Sequence, residues 1–232
     1  MSYILCIETA TEICSVALSE NKKLLAFADS QTPNSHASQL HVLVENVLTK
    51  SGIKLQQLDA IAVSKGPGSY TGLRVGVSAA KGYCYALNIP LISINTLQSL
   101  AQQVVLKSEL DTSDSKILLC PMLDARRMEV YCGLYDFSLN EIEATQAIVV
   151  DENFQNSKFT DFKVLLLGNG SEKCKLIIQN PNAIFIDEIK CNAKSMIELA
   201  ANKFQKKEFE DVAYFEPFYL KDFVGTIAKN SI

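Results

Sequence analysis

Apolar runs separated by short polar turns open the chain, and they predict a meander of three antiparallel strands. The three runs are Tyr3–Ile7, Ile13–Leu18 and Lys23–Ser30. Each is bounded by polar residues, as half-buried strands are. After Ser35, a candidate helix cap, apolar residues recur at helical spacing from Leu40 to Leu48, and Gly52 is typical of a helix end.

The remainder of the first half alternates between short buried strands and helices. The predicted strands are Ala60–Val63 and Leu91–Ile94, and the predicted helices are Thr71–Leu87 and Thr96–Leu106. Gly66, Pro67 and Gly68 separate the first of these strands from its helix. A polar stretch, Lys107–Ser115, then predicts a linker.

After the linker the order of elements begins again. The predicted strands are Lys116–Leu123, Met128–Tyr135, Ile142–Val150, Val164–Leu167 and Ala183–Ile186. A helix is expected after Gly170 and another over Ala193–Phe204, whereas the first helix of this half has only a weak pattern.

Two copies of one unit define the predicted fold class. An α/β unit repeated in two lobes that face each other is the duplicated actin-like ATPase/sugar-kinase architecture, which is ribonuclease H-like in each lobe. We place the first lobe at residues 1–106 and the linker at 107–115. The second lobe is placed at 116–232, with a C-terminal segment docking back on the first. The alternative is an ordinary α/β protein whose turns only resemble a repeat.

Charge and cysteine usage narrow the class of function. The 232 residues carry 22 basic and 26 acidic side chains, a net charge of −4, and no basic stripe, which disfavours a protein that grips nucleic acid alone. Seven cysteines without a CxxC pair suit buried thiols in a reducing compartment. No apolar run approaches the ~20 residues of a membrane span, and the N-terminus lacks the pattern of a signal peptide. We therefore expect a cytoplasmic protein with no membrane partner.

A glycine-rich run between a predicted strand and helix has two interpretations. Gly66 and Gly68 lie where backbone N–H groups at a helix N-terminus hold a phosphate in other proteins. However, the run matches neither the Walker A nor the GxGxxG pattern. The other interpretation is a tight turn in which Ser69 or Thr71 caps the next helix.

The helix after this run carries small residues every fourth position, at Gly72, Gly76 and Ala80. Glycine inside a helix costs roughly 1 kcal/mol relative to alanine, so close packing must offset that cost. We expect this stripe and Tyr83, together with Leu40 and Val44 of the preceding helix, to form a partner interface. Packing inside the monomer is the alternative.

Candidate chemistry is sparse. Glu8 and Asp124 end the first strand of each half, where acidic residues orient Mg²⁺ and water in kinases of this architecture. Both turns lack the glycine that lets a phosphate approach the backbone. His36 and His41 are five residues apart, about 500° around a helix, and do not form a zinc pair. We expect no catalytic residue, cofactor or metal in this chain, with Glu8, Gly66, Gly68 and Asp124 as the only nucleotide candidates.

Several motifs resemble the TsaB family. They are IETATEICSVAL, SHASQLH, the long run that contains GPGSYTGLR, and LDARRMEVYCGLY. The resemblance covers most of residues 1–105 and returns at 120–135. This family provides the dimerisation subunit of the bacterial machinery that makes N6-threonylcarbamoyladenosine in tRNA. Many relatives have Asp where this chain has Glu8.

The resemblance implies a partner-binding scaffold. In that family the subunit pairs through first-lobe helices with TsaD, a similar protein that has a metal-binding histidine pair, and the ATPase TsaE joins them. TsaC supplies the threonylcarbamoyl-adenylate. ATP, Mg²⁺ and metal are thus expected in partner subunits, tRNA is reached only through the complex, and a homodimer is expected when the chain is alone. The alternative is an autonomous enzyme of the same fold, either a small phosphotransferase or a peptidase.

Overall fold

The structure is a computed structural model that describes residues 1–30, 32–33, 35–107, 116–151, 154 and 162–221. Two five-stranded sheets organise it, and helices cover their faces. None of the helices in these ranges is long and apolar enough to cross a membrane.

The first sheet has the strand order β3-β2-β1-β4-β5. Its strands are β1 (Tyr3–Glu8), β2 (Ser15–Glu20), β3 (Lys23–Asp29), β4 (Ala60–Gly66) and β5 (Leu91–Asn95). The first three pair antiparallel, as the alternation predicted, and β4 and β5 run parallel to β1. Since β1 and β4 are central, their side chains are apolar on both faces.

Three helices follow the strands of this lobe, and they are α1 (His36–Ser51), α2 (Tyr70–Leu87) and α3 (Thr96–Lys107). The predicted end of α1 is confirmed, because Gly52 takes the left-handed conformation that glycine adopts most readily. Helices α1 and α2 pack on one face of the sheet and bury Leu40, Val44 and Ala80 against strand residues such as Leu5.

The second sheet repeats the first. Its strands are β6 (Ile117–Asp124), β7 (Glu129–Tyr135), β8 (Glu141–Val149), β9 (Lys163–Leu167) and β10 (Ala183–Ile186). The order β10-β9-β6-β7-β8 is that of the first sheet in reverse, with an antiparallel β6-β7-β8 meander and two parallel strands. The two-lobed α/β class is therefore confirmed.

Two helix predictions in the second half need correction. The helix expected after Gly170 is a single 3₁₀ turn, Glu172–Cys174, although Cys174 and Ile178 of this segment are buried in the second-lobe core. The last helix starts as a 3₁₀ turn at Ala193–Met196 and becomes α4 over Ile197–Lys206. The first helix of this half falls mostly outside the described residues.

The lobes exchange helices across their boundary. Helix α3 follows the first sheet in sequence, yet its Leu97 and Leu100 pack with Leu119 and Leu167 of the second sheet. Helix α4 follows the second sheet, yet Ala200 packs on the first sheet beside Ile4. Apart from Lys107, which ends α3, the predicted linker at 107–115 lies outside the described residues. The proposed domain limits stay a prediction.

Candidate functional site

Glu8 is fully buried at the end of β1. Its Oε1 accepts a 2.6 Å hydrogen bond from the Ala10 N–H, and its Oε2 has no hydrogen-bond partner among the described residues. Burial raises the pKa of Glu8 to about 7, although hydrogen bonds from Ala10, Ser64 and Thr9 oppose the shift. A carboxyl group closed off in this way is not positioned to orient a solvated magnesium ion.

The turn after Glu8 is covered by the glycine-rich run. The Ser69 N–H donates to the Ala10 carbonyl at 2.7 Å, and Gly68 lies so close that a Cβ there would be 2.7 Å from the Ala10 Cβ. Gly66 has a φ of +111°, in the left-handed region where glycine is favoured. These glycines let the chain approach its own backbone, so the structural-turn interpretation is favoured over a phosphate site.

The start of α2 supports the same interpretation. Ser69 is its N-cap, and the Ser69 hydroxyl accepts a 3.3 Å hydrogen bond from the Gly72 N–H. A first-turn N–H group that would face a phosphate is thus satisfied by a side chain. Of the two predicted caps, Ser69 is confirmed.

Asp124 occupies the equivalent position in the second lobe but has a different environment. It is exposed, forms an ion pair with Lys173, and its Oδ1 accepts a 2.8 Å hydrogen bond from the Arg126 N–H. Lys173 also donates to the carbonyls of Arg127 and Glu129, each at 2.7 Å. This carboxylate holds its own turn together, so the two acids are not a matched pair.

The glycine stripe of α2 faces into the monomer. A Cβ on Gly72 would overlap the Thr9 carbonyl, and one on Gly76 would overlap the Thr9 hydroxyl. Both glycines are buried. The prediction that they form a partner interface is therefore wrong, because the β1-β2 turn needs the space beside the helix.

Three further predicted interface residues are also internal. Leu40, Val44 and Ala80 are at most 3% exposed and belong to the first-lobe core. Tyr83 is half-buried, and its hydroxyl lies 2.7 Å from Nδ1 of the exposed His41. Of the six residues, Tyr83 alone reaches the surface.

The opposite side of α2 is exposed and nearly uncharged. Its exposed or half-buried residues are Thr71, Arg74, Val75, Ser78, Ala79, Gly82, Tyr85 and Ala86. Tyr85 is 86% exposed, and a Cβ added at Gly82 would meet nothing within 4 Å. Arg74 is the one charged residue of this face and lies over the Tyr70 ring of the same helix, whereas Lys81 donates to the carbonyls of Ala213 and Phe215.

A groove adjoins this face. It has a volume of about 540 Å³ and lies between α1, the turn at 52–56 and Tyr83. Half-exposed Val42 of α1 adds apolar area nearby. Ser78, Gly82 and Ala86 form a second stripe of small residues on α2, a signal that helical spacing alone does not distinguish from the buried stripe.

The histidines do not form a metal site. His36 is buried, with Nε2 2.8 Å from the Thr11 carbonyl, and burial lowers its pKa. The ranges that the structure describes contain no group of three His, Cys, Asp or Glu side chains that could hold a metal ion. All seven cysteines are buried, and none of them is in a disulfide.

Solved structures with the same two-lobed fold include YeaZ from Pseudomonas aeruginosa. It has a TM-score of 0.81 and 26% identity, covering 95% of this chain and 100% of that one. An activator of 2-hydroxyisocaproyl-CoA dehydratase from Clostridium difficile, with bound ADPNP, has a TM-score of 0.51 at 9% identity. This match covers 90% of this chain and 98% of the activator, and it shows a shared fold only. The class is thus a duplicated actin-like α/β protein.

Sequence relatives define the family within that class. The family model described as TsaD, tRNA N6-adenosine threonylcarbamoyltransferase, matches residues 30–229. A TsaB protein of Escherichia coli K12 is 30% identical over 231 residues, covering 96% of each chain. A TsaB protein of Bacillus subtilis is 31% identical over 180 residues, covering 76% of this chain and 75% of its own. The chain belongs to the family of tRNA threonylcarbamoyladenosine biosynthesis proteins TsaB.

Proposed function

We propose that the chain is a non-catalytic scaffold subunit of the cytoplasmic complex that transfers a threonylcarbamoyl group to N6 of a tRNA adenosine. Its membership of the TsaB family supports the pathway. The observation that carries the scaffold role is the outward face of α2, where Thr71, Ser78, Gly82, Tyr85 and Ala86 are exposed and Arg74 is the one charged residue. Surface helices of monomers usually present polar residues to water, so such a face indicates a partner protein.

The proposed partner is TsaD, with TsaE joining the pair. The match of the TsaD family model to residues 30–229 indicates that the two proteins share a fold. The small exposed residues Ser78, Gly82 and Ala86, four apart on α2, let a second helix approach closely. When TsaD is absent, the same face suits a second copy of this chain, because a two-fold pair would bring matching helices together.

The contacts of Glu8 and Asp124 in the two acidic turns support a non-catalytic role. The Glu8 carboxyl is enclosed, and Asp124 is bound to Lys173. Gly66 and Gly68 pack against the chain's own backbone. We infer that nucleotide, Mg²⁺ and metal chemistry belong to partner subunits and that tRNA contacts this chain only within the complex.

The interface is tested with Gly82→Arg. Since Gly82 is exposed with open space around it, the variant should fold normally. At an interface it would bury an unpaired guanidinium, so affinity for purified TsaD should fall at least about tenfold, or about 1.4 kcal/mol. Gln205→Arg, an exposed position on α4, is the matched control and should bind normally. Calorimetry measures the affinity, and thermal unfolding verifies the fold.

The cellular experiment tests the function itself. Depleting the chain should remove N6-threonylcarbamoyladenosine from bulk tRNA, as measured by nucleoside mass spectrometry, while the adenylate intermediate is still made. Gln205→Arg should restore the modification and Gly82→Arg should not. Normal binding of TsaD by Gly82→Arg would show that the interface lies on another surface. An unchanged modification level after verified depletion would reject the scaffold function and favour the autonomous enzyme.

A further inference from the structure

The segment after α4 returns to the first lobe. Glu210 forms an antiparallel bridge with Leu91 at the edge strand β5, and the Glu210 N–H donates to the Leu91 carbonyl at 2.9 Å. The Ser93 hydroxyl donates to the Glu210 carboxylate at 2.5 Å. The segment therefore covers a sheet edge that would otherwise present unpaired backbone groups.

The same segment also binds α2 and the end of β4. Lys81 donates to the Ala213 carbonyl at 3.1 Å and to the Phe215 carbonyl at 2.9 Å. The Phe218 N–H donates to the Lys65 carbonyl at 2.7 Å. These bonds join backbone groups along the segment to the first lobe.

Residues 218–221, which we call the clasp, end on the second lobe. The Tyr219 ring lies 4.9 Å from the Tyr70 ring of the first lobe. Two residues later, Lys221 forms an ion pair with Glu129 and lies 5.9 Å from the centre of the Tyr131 ring, both on β7. Four residues thus connect the two lobes.

The clasp lies next to both acidic turns, the one after Glu8 and the one after Asp124. Its first residue, Phe218, packs against Gly66, because a Cβ added to Gly66 would be 2.8 Å from the Phe218 carbonyl oxygen. Gly68, two residues after Gly66, covers the turn after Glu8. Its last residue binds Glu129, whose carbonyl accepts a 3.0 Å hydrogen bond from Ala125 within the turn after Asp124. The clasp is therefore a bridge between the two turns.

We propose that the clasp latches the two lobes together and that Lys221 is the side chain that closes the latch. The lobes are already joined where helices α3 and α4 are exchanged, and the buried Ser99 and Ser195 hydroxyls lie 2.7 Å apart there. A second attachment, through the clasp, restricts rotation of the lobes about that junction. The proposal concerns the chain alone and does not depend on the partner assignment.

Hydrogen-exchange mass spectrometry on the full purified chain tests the latch. Lys221→Ala should speed exchange about two- to fivefold both in residues 213–220 and in the turn at 126–131, as the loss of a half-exposed ion pair implies. Lys206→Ala is the matched control. Lys206 is another lysine after the start of α4, and its amino group lies 3.9 Å from the Glu208 carboxylate. Its removal should leave the exchange rates of both regions unchanged.

Two further variants make the result specific. Glu129→Gln should reproduce the Lys221→Ala effect, and the double variant should add nothing, because both single changes remove one interaction. Lys221→Arg should retain wild-type exchange. Raising the ionic strength should bring the wild-type rates toward those of Lys221→Ala, since salt screens the pair.

Two outcomes would reject the latch. One is faster exchange in residues 213–220 with unchanged exchange in the turn at 126–131, which would describe a loosened tail that does not hold the second lobe. The other is additive effects of Lys221→Ala and Glu129→Gln, which would show that the two side chains act independently.

Discussion

Glu8 illustrates how one buried carboxyl group makes the stability of the whole protein depend on pH. The residue is 0% exposed, and no described group donates a hydrogen bond to its Oε2. Burial disfavours the charged form and raises the pKa to about 7. The folded protein therefore holds a proton on Glu8 in a pH range where the unfolded chain, with an ordinary pKa near 4.5, has lost it.

The sign of the pH effect follows from this difference. Between about pH 4.5 and pH 7 the folded state binds more protons than the unfolded state, so the free energy of unfolding falls as the pH rises. Glu8→Gln is neutral throughout. It should match the wild type near pH 4.5 and become more stable by roughly 3 kcal/mol above pH 7.

Urea unfolding of both proteins at pH 5, 6, 7 and 8 measures this difference. Glu12→Gln removes an exposed carboxylate from the same turn and should follow the wild-type profile. If the curves of Glu8→Gln and the wild type run parallel across this range, Glu8 does not titrate as its burial implies.

Helix α2 presents two stripes of small residues with opposite roles. Gly76 allows Thr9 to pack against the helix, whereas Gly82 faces open space. An exposed glycine in a helix costs stability without giving close packing in return. The two positions therefore respond differently to the same added methyl group.

Gly82→Ala should raise the free energy of unfolding by up to about 1 kcal/mol, because alanine is the better helix former. Gly76→Ala should lower it by about 1–3 kcal/mol, because the methyl group overlaps the Thr9 hydroxyl. Chemical denaturation of the two variants gives both values. Equal stabilisation by both would mean that the β1-β2 turn yields easily and that Gly76 is not required.

At the scale of the molecule, the acidic turn of each lobe is engaged by contacts within the chain. The first turn is covered by the chain's own Gly66–Gly68 segment, and the second is held by the Asp124–Lys173 pair. The clasp connects the two turns. These contacts engage both turns within the chain, although Glu8 Oε2 has no hydrogen-bond partner among the described residues.

The isolated chain should therefore release no phosphate from ATP above background and should carry no stoichiometric zinc. A phosphate-release assay and elemental analysis of purified protein check both expectations. ATP turnover that disappears in Glu8→Ala would contradict them and would support the autonomous phosphotransferase.

The order of the strands, most of the helices and the duplicated fold could be predicted from the sequence because they depend on local signals. Alternating and helical apolar spacing locates the elements, and residues such as Gly52 and Ser69 mark helix ends through backbone geometry that each residue type prefers. The family resemblance likewise depends only on motifs of consecutive residues, such as GPGSYTGLR.

Only the tertiary structure decided which surfaces are free. Helical spacing showed a stripe of small residues on α2, but the β1-β2 turn determines that Gly76 is inside, whereas Gly82 faces open space. The enclosure of Glu8 and the contact between Lys221 and Glu129, 92 residues apart in sequence, likewise arise from packing between distant segments. Such contacts depend on how the elements pack together, and the spacing of apolar residues within one element does not predict them.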